Sequence, residues 1–312
     1  MIIVRLSGGL GNQMFQYAMG RSLCHRLQNT LKLDISLLKY NPHRSYALSH
    51  FNILEDFASP EEVYRFSGVP QKISQKITHR LNKPLLFARR IFPWTLNDSN
   101  RRSSQNQPRV YSEPHFHFDP EVLNLRGHLY LKGYWQTEKY FKEIEHIIRK
   151  EFTVKNPLVG RNLEYARQIQ DCEAVSVHVR RGDYLTHSRW RRTHGVCPGE
   201  YYQAALEKMK EHVTGSHFFI FSDDHQWVEN NIGVDRSSTI VDNNGPEAAH
   251  EDLRLMSLCQ HHIIANSSFS WWAAWLKSSR NALVIAPQKW FGDERMRTRR
   301  LDDLFLSDWC LL

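Results

Sequence analysis

The stretch MIIVRLSGGLGNQMFQYAMG, residues 1–20, runs from an apolar segment through a turn with Gly8, Gly9 and Gly11 into helical periodicity. A strand that turns through glycine into a helix opens an α/β sheet. The helix N-terminus then lies at the carboxyl end of the strand, where its amide groups favour an anion. Positions Gly9 to Met14 nearly reproduce the dinucleotide fingerprint G-x-G-x-x-G, with Met14 in place of the third glycine. Asp34 closes a second apolar run, TLKLDI, roughly where a ribose-binding acid would stand. One reading is a nicotinamide-dependent oxidoreductase; another is a plain turn in which glycine only supplies a positive φ.

The second half of the chain repeats strand and helix several times. AVSVHV (174–179) precedes a helical segment around 199–213, where Tyr202, Ala205, Leu206, Met209 and Val213 fall on one face. HFFIFS (217–222), STIVD (238–242), HIIANSS (262–268) and ALVIA (282–286) are further strands, separated by segments with helical spacing. Strand alternating with helix means a parallel sheet covered on both faces. A length of 312 residues at 41% apolar content supports two cores. The expected division is an N-terminal domain, 1–158, and a C-terminal domain, 159–312.

Polar groups follow each strand: RRGD from Arg180, Asp223 and Asp224, Asn243 and Asn244, the NSS of Asn266 to Ser268, and PQKW from Pro287. Ligands of open α/β sheets bind at the carboxyl ends of the strands, so these groups describe one site, although Asn243-Asn244-Gly245 also reads as a turn. On the strand before RRGD, side-chain alternation puts His178 and Arg180 on one face. Arg180 and Arg181, beside the NSSFS turn at 266–270 and its helix N-terminus, suit a diphosphate. The competing reading is an ion-pair cluster in which Asp183 neutralises an arginine. FSDDH holds no spaced D-x-D pair, and His115-x-His117 reads as a packed or surface pair, so no metal is expected.

The net charge of +8 is concentrated between residues 71 and 110, where nine Lys and Arg stand against the single Asp98. Nucleic-acid binding is not expected, because no helix-turn-helix or RNA-binding signature accompanies the charge. The mixture of Arg and Lys with Leu, Phe, Ile and Trp from Lys72 to Trp94 reads either as a solvated basic insertion or as a contact with an anionic membrane surface. The five cysteines form no C-x-x-C pair, which fits reduced thiols. No secretory or membrane-spanning segment is read, so the expectation is a cytoplasmic protein, with peripheral contact at the inner face of the plasma membrane as an extension of the basic-insertion reading.

Four segments together resemble the bacterial alpha-1,2-fucosyltransferases of glycosyltransferase family 11. They are GGLGNQMFQYA (8–18), GYWQTEKYF (133–141), HVRRGDY (178–184) and EDLRLMSLCQHHIIANSSFSWWAAWL (251–276). The resemblance implies a GT-B-like α/β fold, two Rossmann-like domains whose parallel sheets face each other across a cleft. It implies inverting transfer from GDP-beta-L-fucose, used as a co-substrate, without a metal. The acceptor would be the 2-hydroxyl of a terminal galactose in an oligosaccharide or lipid-linked glycan. Gly9, Gly11 and Asn12 would abut the donor diphosphate, and Arg180 would clamp it. His178 and Asp223 would contact guanine, and Asn266, Ser267, Ser268 and Phe269 would wall the phosphate pocket. A nucleotide-sugar sensor that binds without turnover is the non-enzyme alternative.

On the acceptor side, Trp135 would stack on a pyranose, with Gln136 and Glu138 for its hydroxyls; an ordinary core position is the alternative for Trp135. Trp271, Trp272 and Trp275 read as helix packing. Asp183, beside two arginines, is expected to be an ionised anchor rather than a base. His187 or His194 could accept the acceptor proton, as could Asn12 or a phosphate oxygen of the leaving group.

Overall fold

The computed structural model describes residues 1–41, 43–68, 108–182, 185, 195–233, 235–277, 279, 281–293 and 300–312. They form two compact units. The first comprises Met1–Ser49, Ile53–Trp135 and Lys139–Ile148; the second comprises Arg149–Leu312 with the short pieces His50–Asn52 and Gln136–Glu138. The second unit thus begins at Arg149, upstream of the division after 158 read from the sequence.

In the first unit, strands β1 (Ile2–Arg5), β2 (Leu31–Asp34), β3 (Arg109–Ser112) and β4 (Leu129–Lys132) form a parallel sheet in the order β2-β1-β4-β3. The glycine turn leads from β1 into α1 (Leu10–Leu27), a helix enclosed along most of its length. Gly8 takes a φ of +79°, and a Cβ there would lie 2.5 Å from Asn12 Nδ2. Close approach of helix to sheet comes at Gly20, where a Cβ would meet Leu31 Cδ1 at 2.9 Å and Val4 Cβ at 3.2 Å. Met14, at the third fingerprint position, is simply buried core.

Two glutamines of α1 are fully buried because they bind backbone. Gln13 Nε2 donates to Gly8 O (2.9 Å) and Ser45 O (2.8 Å), while its Oε1 accepts from Ala47 N (2.9 Å). Gln16 Oε1 accepts from Ser7 N (2.8 Å), and its Nε2 donates to Gly133 O (3.0 Å) and Ser7 Oγ (3.1 Å). The ring of polar loops above the sheet is therefore held from inside the helix. Of the basic insertion at 71–110, residues up to 107 lie outside the described part, and Arg109 and Val110 begin β3.

The second unit holds six parallel strands, β5 (Glu173–Val179), β6 (Ser216–Ser222), β7 (Ser238–Val241), β8 (His261–Ile263), β9 (Val284–Ala286) and β10 (Cys310–Leu311), in the order β10-β9-β8-β5-β6-β7. The first five are the strands expected from the sequence; β10 carries only two residues and offers no periodicity to read. Both faces of central β5 are buried, as parallel sheets require. Its Val175, Val177 and Val179 pack in one cluster with Tyr202, Ala205, Met209 and Val213, the predicted face of the helix Gly199–His212 and its C-cap. Ser176, on the opposite face, meets a polar partner, with its Oγ 2.7 Å from His262 Nδ1. All five cysteines are unpaired.

Candidate active site

Strand β5 delivers His178, Arg180 and Arg181 to the carboxyl edge of the second sheet, and its parallel neighbour β6 delivers Asp223 and Asp224 to the same edge. The register pairs Val179 with Ser222, so the residues that follow meet in pairs. Arg180 Nη1 lies 2.8 Å from Asp223 Oδ2. Asp223 Oδ1 accepts the Arg181 backbone N–H at 2.8 Å. Arg181 Nε donates to Asp224 Oδ2 at 3.2 Å, and its guanidinium lies 4.1 Å from the centre of the Trp227 ring. Asp224 also caps the helix His225–Asn231 by accepting from Trp227 N at 3.1 Å. Gly182 leaves room for this arrangement, since a Cβ there would lie 2.9 Å from Asp223 Oδ2.

Among the described residues an ion-pair cluster therefore exists, with Asp223 and Asp224 as its carboxylates. Asp183 lies outside the described residues, as do His187 and His194. Arg180 and Asp223 are both partly exposed, so the pair can still engage a ligand. A carboxylate has about four lone-pair positions, and two protein donors leave capacity for a guanine edge.

His178 sits behind this pair, fully enclosed, with its ring centre 5.4 Å from that of Phe269. Burial, reinforced by the Arg180 charge, pushes the imidazole pKa down to about 3, so the ring is neutral near pH 7. Its Nδ1 is buried without a hydrogen-bond partner among the described residues. A buried orphan of this kind costs stability unless something completes it, and a nucleobase edge is of the right chemistry.

Across the sheet, β8 leads through Asn266 and Ser267 into a helix over Ser268–Leu276. Ser267 caps it, accepting from Phe269 N at 3.3 Å. This brings Ser267, Ser268 and Phe269 to the same sheet edge as His178. Asn266 behaves differently: it is buried, its Nδ2 donates to Trp290 O (3.2 Å) and its Oδ1 faces Cys197 Sγ (3.5 Å). Its amide ties loops together at this edge. Trp271, Trp272 and Trp275 are buried in that helix, as packing residues.

On the acceptor side, the expected stacking role of Trp135 changes. The Trp135 indole is fully enclosed, against Tyr111 and Tyr140, and has no face for a sugar. Glu138 Oε2 accepts from Trp275 Nε1 at 3.1 Å and is part of the second unit, as is Gln136. Periodicity could not reveal these partners because they come from distant segments. Gly9 caps α1 in extended conformation, and Gly11 and Asn12 form its first turn, at the carboxyl end of β1.

Asp34 removes the nicotinamide reading. It is buried, and its carboxylate accepts from Ser36 N (2.9 Å) and from the Tyr130 hydroxyl, so no oxygen faces a ribose. His115 and His117 stack face to face at 3.5 Å between ring centres. Among the described residues, no group of three or more His, Cys, Asp or Glu is arranged to hold a metal ion. No described helix is long and apolar enough to cross a membrane.

The chain is 34% identical over 303 residues to an alpha-1,2-colitosyltransferase of Escherichia coli, covering 95% of this chain and 94% of that one. It is 29% identical over 309 residues to the O-antigen biosynthesis glycosyltransferase WbnK of Escherichia coli, covering 95% and 97%. A galactoside alpha-(1,2)-fucosyltransferase 1 of Aotus azarae is 28% identical over 191 residues, covering 58% of this chain and 51% of that protein. With a match to the family that runs over residues 1–312, these relatives accompany the HVRRGD edge just described, and the chain belongs to glycosyl transferase family 11.

Proposed function

We propose that the protein transfers L-fucose from GDP-beta-L-fucose to the 2-hydroxyl of a terminal galactose, with inversion at the fucose anomeric carbon. The single observation that carries this reading is the Arg180–Asp223 pair in front of the buried, neutral His178 at the carboxyl edge of the second sheet. In this reading Asp223 accepts the guanine N–H groups and His178 completes the base contact. Arg180 takes the diphosphate, with Ser267, Ser268 and Phe269 at the same sheet edge.

The step needs charge stabilisation above all. The bond from the fucose anomeric carbon to the β-phosphate oxygen breaks and its electron pair stays on GDP. Galactose O2 bonds to the same carbon from the opposite face, and its proton passes to a phosphate oxygen of the departing GDP. A fixed guanidinium stabilises the departing charge more in the transition state than in the ground state.

The 34% identity to a colitosyltransferase favours a second reading, in which the donor sugar lacks the 3-hydroxyl of fucose. The deciding experiment offers GDP-fucose and GDP-colitose separately with a panel of galactosides, in excess EDTA, and determines the product linkage by NMR. An alpha-1,2 fucosyl product, formed faster than its colitosyl counterpart, is expected. Faster colitosyl transfer favours the second reading, and no transfer from either donor, or transfer only after manganese is restored, overturns the proposal.

The basic segment 71–110 is proposed to bring the enzyme to anionic membrane, where lipid-linked acceptors reside. Binding to phosphatidylglycerol vesicles that weakens with salt supports this, and equal binding to neutral vesicles refutes it.

A further inference from the structure

The loop after β4 is built more tightly than a connection requires. A Cβ on Gly133 would lie 2.6 Å from Glu113 Cβ and 2.7 Å from Trp135 Cε2, so only glycine fits. Its carbonyl is held by Gln16 of α1, which also binds Ser7 just before the glycine turn. Two residues on, Trp135 takes a φ of +57°, a left-handed conformation that a bulky side chain rarely adopts. Glu113 stabilises it by accepting both the Tyr134 N–H (2.7 Å, Oε2) and the Trp135 N–H (3.0 Å, Oε1).

The result is a division between neighbouring aromatics. The Trp135 indole turns inward, T-shaped to Tyr140 and stacked near Tyr111, and is 0% exposed. Tyr134 remains 47% exposed, and among the described residues its ring meets no other ring and its hydroxyl makes no hydrogen bond. Strained backbone persists where the surroundings over-determine it, and such places cluster at ligand sites. Here the strain and the carboxylate clamp fix one free aromatic ring at the carboxyl edge of a parallel sheet, where open α/β sheets bind their ligands.

We propose that Tyr134 is the platform on which the acceptor pyranose stacks, with Glu113 as the positioning residue that holds it. The inference rests on the transferase reading above and names the acceptor subsite of that site. The chemistry fits galactose, whose C–H bonds at C3, C4 and C5 lie toward one face and can cover an aromatic ring, leaving its hydroxyls outward. The groups proposed for the nucleotide follow β5 and β6, so loss of Tyr134 should cost sugar contact and leave GDP affinity intact.

The test uses the full chain and compares Tyr134→Ala, Tyr134→Phe and Glu113→Gln with the parent. Acceptor KM and kcat are measured with a galactoside, GDP affinity by calorimetry, and sugar contact by saturation-transfer NMR with methyl β-galactoside. Tyr134→Ala should raise acceptor KM at least tenfold and abolish saturation transfer to the galactose H3, H4 and H5, with GDP affinity unchanged. Tyr134→Phe should stay within threefold of the parent, and Glu113→Gln, which keeps one of two acceptors, should raise KM with kcat retained. Unchanged KM in Tyr134→Ala, equal loss of GDP affinity, or saturation transfer that persists in it overturns the inference. If no galactoside turns over but the parent shows Tyr134-dependent contact with one, the transferase reading fails and the platform stands.

Discussion

Arg180 and Asp223 form an ion pair with 2.8 Å between Nη1 and Oδ2, although 43 positions separate them in the chain. The parallel register of β5 and β6 makes the pair, and the Arg181 N–H held by Asp223 Oδ1 locks the backbone at the same point. The guanidinium is therefore oriented before any ligand arrives, which is what electrostatic catalysis demands.

Removing that charge should slow the reaction more than it weakens the fold. Arg180→Ala is expected to lower turnover about a hundredfold or more, since loss of one such donor costs roughly 3 to 4 kcal/mol in the transition state. Arg180→Lys should recover little, because an ammonium lacks the planar fork. Steady-state kinetics beside a thermal melt decides this, and near-normal turnover in a folded Arg180→Ala enzyme refutes the role.

Asp223 has two jobs in the proposed site, and nucleotide selectivity separates them. If it reads guanine, Asp223→Asn should weaken GDP by at least tenfold while ADP affinity changes little. A carboxylate that only orients Arg180 would instead lose both nucleotides equally. Calorimetric titrations with the two diphosphates distinguish these results.

Gly182→Ala tests the same carboxylate through sterics alone. The added methyl would lie 2.9 Å from Asp223 Oδ2 and must displace it. GDP affinity should fall about tenfold while acceptor contact, measured by saturation transfer, is preserved. Unaltered GDP binding would show that the Asp223 position is not critical.

Asp252 links stability to pH. It is largely buried, which pushes its pKa up to about 6, with the Glu251 charge adding to the effect and the hydrogen bond from Asn244 Nδ2 (2.7 Å) opposing it. The folded state thus holds this proton more tightly than the unfolded chain. The associated stability is complete below about pH 4 and is lost as pH rises through 6. Asp252→Asn keeps an oxygen for Asn244 and abolishes the ionisation. It should stabilise the protein by about 2 kcal/mol at pH 7.5 and by much less at pH 4.5. Urea unfolding at the two pH values checks it, and an equal gap at both would remove Asp252 as the source.

Proton transfer is tested by pH profiles of turnover. With the leaving group taking the proton, His187→Ala and His194→Ala should each lose little activity and keep the parental profile. Loss of about a hundredfold, with the limb near pH 6 to 7 removed, would instead identify that histidine as the base.

Much of the fold was legible because its signals are local. Alternating valines in 174–179 and the helical face of Tyr202, Ala205, Met209 and Val213 are periodic within a few residues, and both were read correctly. Polar residues at successive strand ends pointed to the sheet edge that now carries Arg180, Asp223 and Ser267. Gln13 and Gln16 escaped notice because a buried glutamine has no sequence signal; only its distant backbone partners make it tolerable. Glu113 and Tyr134 were missed for a related reason. The sequence shows an aromatic pair, and only the left-handed backbone at Trp135 says which ring is free.

By itself, then, the sequence determined the alternation of strands and helices, the parallel class of the second sheet, and the residue types at the strand ends. Those depend on short-range stereochemistry and on composition, which a chain carries along its length. Tertiary structure decided that Asp223 meets Arg180, that Asp34 is consumed by Ser36 and Tyr130, and that Trp135 is core while Tyr134 faces outward. Each of those outcomes depends on which distant group reaches a polar atom or an aromatic face first. That is set by strand register and packing, because burying an unpartnered polar group costs more than any local preference can offset.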